Sequence, residues 1–169
     1  MSRSGPVMRP QPSTEGLRQL IDAISACHSR RLFEQIVTVA AEICGTGYAG
    51  LVEAGAPPQF AQLIQMTMPP GDPLRVRRWL GSGNVLLALA GQSEPIHVDM
   101  GRFRLLSVPV PLNTRSHAAI WVAGSDLDEH AEEYLIRFAT AAGRVLEAHR
   151  DLEEAGRMLR AVQAFSLAG

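Results

Sequence analysis

The sequence predicts an α+β domain in which a central antiparallel sheet of about five to six strands is flanked by N-terminal and C-terminal helices. Apolar residues recur at helical spacing early in the chain and again towards its end, and shorter apolar or alternating segments lie between these regions. Residues 105–110 and 118–123 are both apolar and are joined by a short polar linker, which is typical of a β-hairpin. Helices that enclose several short strands in this order favour one mixed domain.

Composition limits the classes of protein that fit this chain. Its 169 residues suit one globular domain, since 46% of them are hydrophobic and 20% are charged. The net charge of −1 gives no general attraction for nucleic acid or for an anionic membrane surface. No apolar run approaches the ~20 residues of a membrane span, and the two cysteines, Cys27 and Cys44, do not form a disulfide framework. We therefore expect a cytoplasmic protein without nucleic-acid or membrane partners.

The first part of the chain predicts a leader and two helices. Residues 1–13 are rich in Pro, Ser and Arg, and we interpret them as a flexible leader. A first helix is expected from Thr14 onwards, because its apolar residues recur at helical spacing as far as Cys27. A second helix is expected over residues 31–43, and Gly45 follows it as a helix-ending residue.

The middle of the chain predicts two strands followed by two short helices. Residues 48–53 are apolar enough for a buried strand, and polar and apolar residues alternate over residues 60–68. Residues 73–80 and 85–90 are each expected to form a short helix, and Gly81-Ser82-Gly83 separates them.

Three further strands and a long helix complete the prediction. Residues 96–100 form a short strand in which alternation turns His97 away from its two apolar neighbours. Residues 104–111 and 117–123 form the hairpin. The acidic segment 125–129 predicts both the N-cap and the first turn of the closing helix, which runs past residue 150.

Several local motifs, taken in order, resemble those of a GAF domain. That family often has a Gly-x-Gly turn before its pocket helix, as at Gly81-Ser82-Gly83, and a Gly/Ser-x-Pro-hydrophobic strand start, as at Ser93-Glu94-Pro95-Ile96. A Val-Pro-hydrophobic strand follows at Val108-Pro109-Val110, the next strand is apolar, and an acidic cap opens a long apolar helix. The resemblance covers most of the chain, from about residue 17 to residue 154.

The resemblance implies a sensory or regulatory domain like those of bacterial histidine kinases and related signalling proteins. It places the GAF-like domain at residues 14–154 and a C-terminal helical extension at residues 155–169. GAF domains usually sense or dimerise and rarely catalyse, and no nucleophile–base pair stands out in the sequence, so we expect no enzymatic activity. The link between residues 99 and 105 is short, where many ligand-binding GAF domains have a longer lid.

A ligand pocket of this family would lie beside the predicted short helices. Two arginines that flank it, Arg75 and Arg104, would suit a small anionic ligand, and the alternative is that they belong to an ordinary solvated surface. The apolar side chains expected to line it are Met66, Met68, Trp79, Val85, Leu89, Met100, Phe103 and Leu105. Methionine and aromatic side chains fill protein cores as readily as they line ligand pockets, so the sequence leaves both interpretations open.

No cofactor is expected: neither haem nor bilin fits, and no metal site is predicted. Phytochrome-like GAF domains hold a bilin at a Cys-His pair, but Cys27-His28 lies in the first helix, far along the chain from the pocket segment. Haem-binding GAF sensors use a histidine in the lid region, and the nearby candidates, His97 and His117, both fit surface positions. Metal-ligand spacings such as Cys-x-x-Cys are missing.

The closing helix carries the strongest signal for a partner. Apolar residues recur along it at three-then-four spacing, which is typical of a coiled-coil seam, and they continue beyond what one sheet would cover. We therefore expect a homodimer in which this helix pairs with the first helix or with its own copy. The residues expected at the interface are Leu17, Leu20, Ile24, Val145, His149, Leu152, Leu159 and Val162.

Together these patterns predict a cytoplasmic GAF-like sensory or regulatory domain that binds a small molecule or a partner and signals through helix-mediated dimerisation. Its output partner would be a kinase, a phosphatase or a regulator, in cis or in trans. The alternative is a ligand-free structural dimerisation module of a larger signalling protein, which the short lid favours. Fold alone does not separate the two, because one fold can host several functions.

Overall fold

A computed structural model describes residues 14–55, 60–82 and 84–168, and among residues 14–25 it describes the side chains of Gln19 and Ala23 alone. The described residues form four helices and five strands. In chain order these are α1 (Thr14–Ile43), β1 (Tyr48–Ala54), β2 (Ala61–Thr67), α2 (Val76–Leu80), α3 (Val85–Ala90), β3 (Ile96–Asp99), β4 (Arg104–Val110), β5 (His117–Gly124) and α4 (Ala131–Leu167). The predicted α+β class is confirmed. None of the described helices is both long enough and apolar enough to span a lipid bilayer.

The five strands form one open antiparallel sheet in the order β2-β1-β5-β4-β3. β4 and β5 pair as the predicted hairpin, with Val110 opposite Ala118. The register between β1 and β2 shifts after Leu51, so Ile64 is an extra residue and forms a bulge in β2. β2 and β3 are therefore the two edge strands of the sheet.

Different helices cover the two faces of the sheet. On the first, which we call the α1/α4 face, α1 and α4 pack against alternate strand residues that include Leu51 and Ile120. On the second, the α2/α3 face, the short helices cover residues that include Val52 and Leu105. The two layers give the chain two separate apolar cores, one on each side of a single sheet.

α1 is one continuous helix, and the prediction of two helices was wrong. Residues 27–31 contain neither Gly nor Pro, so nothing interrupts backbone hydrogen bonding between the two apolar segments. Its C-terminal part packs on the sheet, where Ile36, Val37 and Ala40 are buried. Residues 27–31 therefore continue the helix rather than forming a turn.

α4 begins at Ala131, later than the predicted start at residues 125–129. Asp128 explains the difference, because its carboxylate accepts a hydrogen bond from the N–H of His130 at 2.8 Å. Its carbonyl oxygen also accepts a hydrogen bond from the N–H of Ala131 at 3.0 Å. The acidic segment is thus a capped turn ahead of the helix. α4 then runs for 37 residues, past residue 155, as one helix.

Candidate ligand-binding site

The α2/α3 face holds most of the side chains that the sequence predicts around a ligand. Trp79 of α2 and Phe103 meet edge to face there, with ring centroids 5.8 Å apart. The predicted pocket residues that belong to this apolar layer are Met66, Met68, Trp79, Val85, Leu89, Phe103 and Leu105. The fold therefore gathers seven of the eight apolar candidates into one layer.

The other three candidates lie apart from that layer. Met100 is exposed and directly follows Asp99, the last residue of β3. Arg75 is exposed at the start of α2, in a left-handed backbone conformation with φ of 55°. Arg104 precedes Leu105 in β4, so strand alternation turns its side chain to the α1/α4 face. The structure places the two arginines on opposite sides of the sheet and does not bring them together around one anion.

A row of register partners crosses the centre of the α2/α3 face. Ser107 of β4 is opposite Trp121 of β5, Trp121 is opposite Gly50 of β1, and Gly50 is opposite Met66 of β2. The indole of Trp121 lies directly over Gly50, because a Cβ added at Gly50 would stand 2.3 Å from the ring. Glycine is therefore required at this position for the indole to lie flat on the sheet.

Two polar atoms of this row are buried without a hydrogen-bond partner in the described part of the chain. They are Oγ of Ser107, a residue that is 2% exposed, and Nε1 of Trp121, a residue that is 0% exposed. Leaving a buried donor or acceptor unpaired costs roughly 1–3 kcal/mol, and most buried polar groups in proteins are paired. The two residues belong to neighbouring strands, and each keeps one buried hydrogen-bonding group that no described residue satisfies.

Sequence reasoning missed Ser107 and Trp121 as site residues. A weak signal was present, since Ser107 is the one uncharged polar residue in the apolar strand Arg104–Val110. Its meaning depends on the register that sets it beside Trp121 and on the glycine beneath the indole. A single sequence does not show which strands are neighbours, so it does not show which residues lie opposite each other.

A hydrogen-bonded pair fixes the loop that leads into α2. The Tyr48 hydroxyl donates to Oδ1 of Asp72 at 2.9 Å and accepts from the N–H of Leu74 at 3.0 Å. The Asp72 carboxylate also accepts from the N–H groups of Val76 and Arg77, each at 3.0 Å, and so caps α2. Burial raises the pKa of the Asp72 carboxyl, but the hydrogen bonds from Arg77, Tyr48 and Val76 outweigh burial and hold that pKa below its ordinary value of 3.8.

A second concave region, which we call the helix–sheet cleft, lies on the α1/α4 face and has a volume of about 370 Å³. Ser29 of α1 meets His149 and Glu153 of α4 there, with Oγ of Ser29 2.7 Å from Nε2 of His149 and 3.1 Å from Oε1 of Glu153. Glu153 also approaches Nε2 of His149, at 3.2 Å. In a catalytic triad the acid orients the other ring nitrogen, so this group does not have triad geometry.

The predicted dimer residues fall into three groups. Val145, Leu152, Leu159 and Val162 are exposed along α4, with relative exposures between 47% and 73%. His149 lies off that exposed stripe, since its half-buried ring faces α1 in the cleft. The side chains of Leu17, Leu20 and Ile24 in α1 lie outside the described residues.

The two cysteines lie in different environments. Cys27 is exposed on α1, whereas Cys44 is buried. Burial raises the pKa of the Cys44 thiol to about 11, and the Asp128 carboxylate adds to the shift, so this thiol stays protonated. Within residues 14–55, 60–82 and 84–168, no three His, Cys, Asp or Glu side chains group closely enough to hold a metal ion.

The arrangement of the sheet and its helices is shared with solved GAF structures. The GAF domain/HD domain protein from Geobacter sulfurreducens matches with a TM-score of 0.53 and 11% identity, over 71% of this chain and 92% of that one. The photoproduct state of GAF3 from Slr1393 of Synechocystis sp. PCC6803 matches with a TM-score of 0.57 and 14% identity, over 74% and 97% of the two chains. These likenesses define the chain as a GAF-like domain by its fold.

A third solved structure adds a protein complex to the comparison. A chain of the E. coli DhaR(N)-DhaL complex matches with a TM-score of 0.51 and 16% identity, over 83% of this chain and 57% of that one. No protein-family model matches the sequence, and no curated protein matches it significantly. The shared feature is therefore the fold, reached from a sequence that differs widely from those of its structural neighbours.

Proposed function

We propose that this GAF-like domain is a cytoplasmic, non-enzymatic sensory module that binds a small molecule on the α2/α3 face and signals through α4. The observation that carries the proposal is the pair of buried, unpartnered polar atoms on Ser107 and Trp121. No haem, bilin or metal ion is part of the proposed site.

The chemistry of these two atoms restricts the ligand. The indole N–H of Trp121 can only donate a hydrogen bond, and the Ser107 hydroxyl can donate or accept. The surrounding side chains are apolar and include an aromatic pair, Trp79 and Phe103. A compact, largely apolar molecule would need an acceptor for the Trp121 N–H and a separate polar group for the Ser107 hydroxyl, because the indole lies over Gly50 of β1 and Ser107 belongs to β4.

The first test is native mass spectrometry on protein purified without refolding, compared between the wild type and Ser107→Ala. We expect the wild type to retain a small molecule and Ser107→Ala to retain less, because one hydrogen bond of about 1 kcal/mol is lost. In ligand-free protein the same substitution removes an unpaired buried hydroxyl. It should then raise the free energy of unfolding by roughly 1 kcal/mol in urea denaturation.

Ser93→Ala is the matched control, since Ser93 is exposed and lies before β3. It should change neither the retained mass nor the unfolding free energy. A wild type that retains nothing, together with a Ser107→Ala variant that behaves like Ser93→Ala, would favour the scaffold interpretation over sensing.

The second candidate function is a ligand-free dimerisation module. Its specific support is the indole of Trp121, which already fills the space above Gly50. The exposed apolar stripe on α4 serves either function, since a sensor and a scaffold would both use it to pair with a second copy.

An output protein is a further part of the proposal. One structural neighbour of this chain comes from the E. coli DhaR(N)-DhaL complex, so a GAF-like fold takes part in a protein assembly there. We propose that a kinase, a phosphatase or a regulator receives the signal from this domain, in cis or in trans. Co-purification with such a partner, lost on substitution of the exposed α4 stripe, would support this part.

A further inference from the structure

The helix–sheet cleft is a second concave site, on the opposite side of the sheet from the proposed ligand. Its floor is apolar and consists of Leu51, Ile64 and Ala118, while α1 and α4 form its walls. Its volume of about 370 Å³ lies within the range of small-molecule sites, about 300–1,000 Å³. The cleft can therefore hold a compact molecule with a short apolar body.

The positive charge of Arg150, which lines the cleft, already has a partner of opposite charge within the chain. The guanidinium of Arg150 forms an ion pair with Glu53 of β1, and its Nη1 donates to Oγ of Ser116 at 3.1 Å. These contacts hold Arg150 against the end of the sheet. Its charge is neutralised by Glu53 and is not left to attract an anion.

The carboxylate of Glu153 has no arginine partner among the described residues. It accepts a hydrogen bond from Ser29 and approaches the ring of His149, and its side chain is 40% exposed. Among the described residues no guanidinium pairs with it, and the sequence contains no lysine. The Glu53 carboxylate is matched by Arg150, so Glu153 is the carboxylate of the cleft that no described guanidinium faces.

We propose that the helix–sheet cleft binds a small organic compound with a primary ammonium group and a short apolar body. The ammonium group carries three N–H donors, which suit the Glu153 carboxylate together with the Ser29 hydroxyl. The apolar body would lie over Leu51 and Ile64. This site lies on a different face from the one in the proposed function and does not depend on it.

The position of the cleft gives such binding a consequence for the helices. Ser29 belongs to α1 and Glu153 belongs to α4, so an ammonium group bound to both would connect the two helices. A ligand that bridges α1 and α4 favours the arrangement in which the two helices are close.

The experiment is isothermal titration calorimetry of the full chain with n-pentylammonium, 1-pentanol and pentanoate. The three probes share a five-carbon body and differ in the charge of the head group. We expect saturable binding of n-pentylammonium, with at least tenfold weaker binding of the other two probes. Tighter binding of pentanoate, equal binding of all three probes, or no binding of the ammonium at millimolar concentration would overturn the proposal.

Glu153→Gln tests the site itself, because it removes the charge and keeps the shape of the side chain. It should weaken n-pentylammonium binding about tenfold or more, since a charge-assisted hydrogen bond is lost. Glu154→Gln is the matched control, because its neighbouring carboxylate is exposed and lies outside the cleft. Equal affinities of the two variants would overturn the assignment, and Ser107→Ala should bind the probe as the wild type does.

Discussion

Two glycines of α4 show how differently one residue type can act at two positions of one helix. A Cβ added at Gly143 would stand 2.4 Å from the carbonyl oxygen of Pro111, so the helix lies directly against the backbone that follows β4. A Cβ added at Gly156 would meet nothing within 4 Å. The sequence shows only that both glycines interrupt a helical pattern, and the difference comes from tertiary packing.

We predict opposite effects of alanine at these two positions. Gly143→Ala should lower the free energy of unfolding by about 1–3 kcal/mol, because α4 must move away from Pro111. Gly156→Ala should raise it by about 0.5–1 kcal/mol, because alanine favours the helical backbone more than glycine does. Urea denaturation of both variants measures the difference, and a Gly143→Ala variant that is as stable as the wild type would show that α4 shifts freely.

Ser107 and Trp121 show what sequence reasoning can and cannot reach at this scale. Trp121 was placed correctly in an apolar strand, and Gly50 in the strand at residues 48–53. That the indole covers Gly50 and that Ser107 is the register partner of Trp121 follow from strand pairing and side-chain direction. These are tertiary facts that a single sequence does not contain.

Whether each segment forms a helix or a strand was predicted more accurately than the residues at which the helices begin and end. The five strands appear where apolar or alternating segments predict them, because period-2 patterns reflect burial on one or both faces of a sheet. The errors concern the helices: α1 has no break, and α4 starts at Ala131, after a turn that the Asp128 carboxylate stabilises. Ser125 and Asp126 are both residue types that favour the N-cap, so the sequence predicted an earlier start than the structure shows.

The attachment of α2 depends on a carboxylate, and we predict a pH-dependent effect of Asp72→Asn. The pKa of the Asp72 carboxyl is lowered in the folded protein, so its stabilising contribution is present above pH 3.8 and is lost as pH falls through the lower folded value. At neutral pH the variant should be less stable than the wild type by about 1 kcal/mol or less, since the carboxyl is partly solvated. Urea denaturation at neutral pH and at pH near 3 measures the unfolding free energy of the variant and of the wild type under each condition.

Asp126→Asn is the control for this prediction, because Asp126 is exposed and lies in the loop before α4. The difference in unfolding free energy between Asp72→Asn and the wild type should shrink on acidification. At neutral pH the control variant should have the same unfolding free energy as the wild type. If the difference in unfolding free energy stays constant down to pH near 3, the negative charge of the Asp72 carboxylate is not what fixes the loop.

At the scale of the whole molecule, the exposed stripe on α4 predicts how two copies meet. Val145, Leu152 and Leu159 are spaced seven residues apart, and Ala155 and Val162 each follow three residues after a member of that series. We expect a dimer at micromolar concentration in analytical ultracentrifugation, and Leu159→Glu should weaken it by at least tenfold, because a charge would be placed on the stripe.

Ala161→Glu is the matched control, since Ala161 is exposed on another side of the same helix. It adds the same charge without touching the stripe and should leave the dimer intact. A wild-type monomer at micromolar concentration, or equal effects of the two substitutions, would exclude pairing through this stripe.

The sequence predicted the layers of the molecule better than its sites. Seven apolar candidates were brought together because burial patterns identify core residues, whereas Arg104 and His149 turned out to face other directions. The helix–sheet cleft joins residues from the first helix and the last one, more than 100 positions apart for Ser29 and Glu153. Such a site depends on how the elements pack together, and local patterns do not record that packing.

The bulge at Ile64 also bears on how the chain behaves when it is concentrated. An open sheet exposes unpaired backbone groups on its two outer strands, and long flat edges promote growth into fibres. Here one edge strand, β3, spans only four residues, and the other, β2, is interrupted by the extra residue. Neither edge is a good template for adding a further strand, so crowding copies of this chain together should not lead them to polymerise through the sheet.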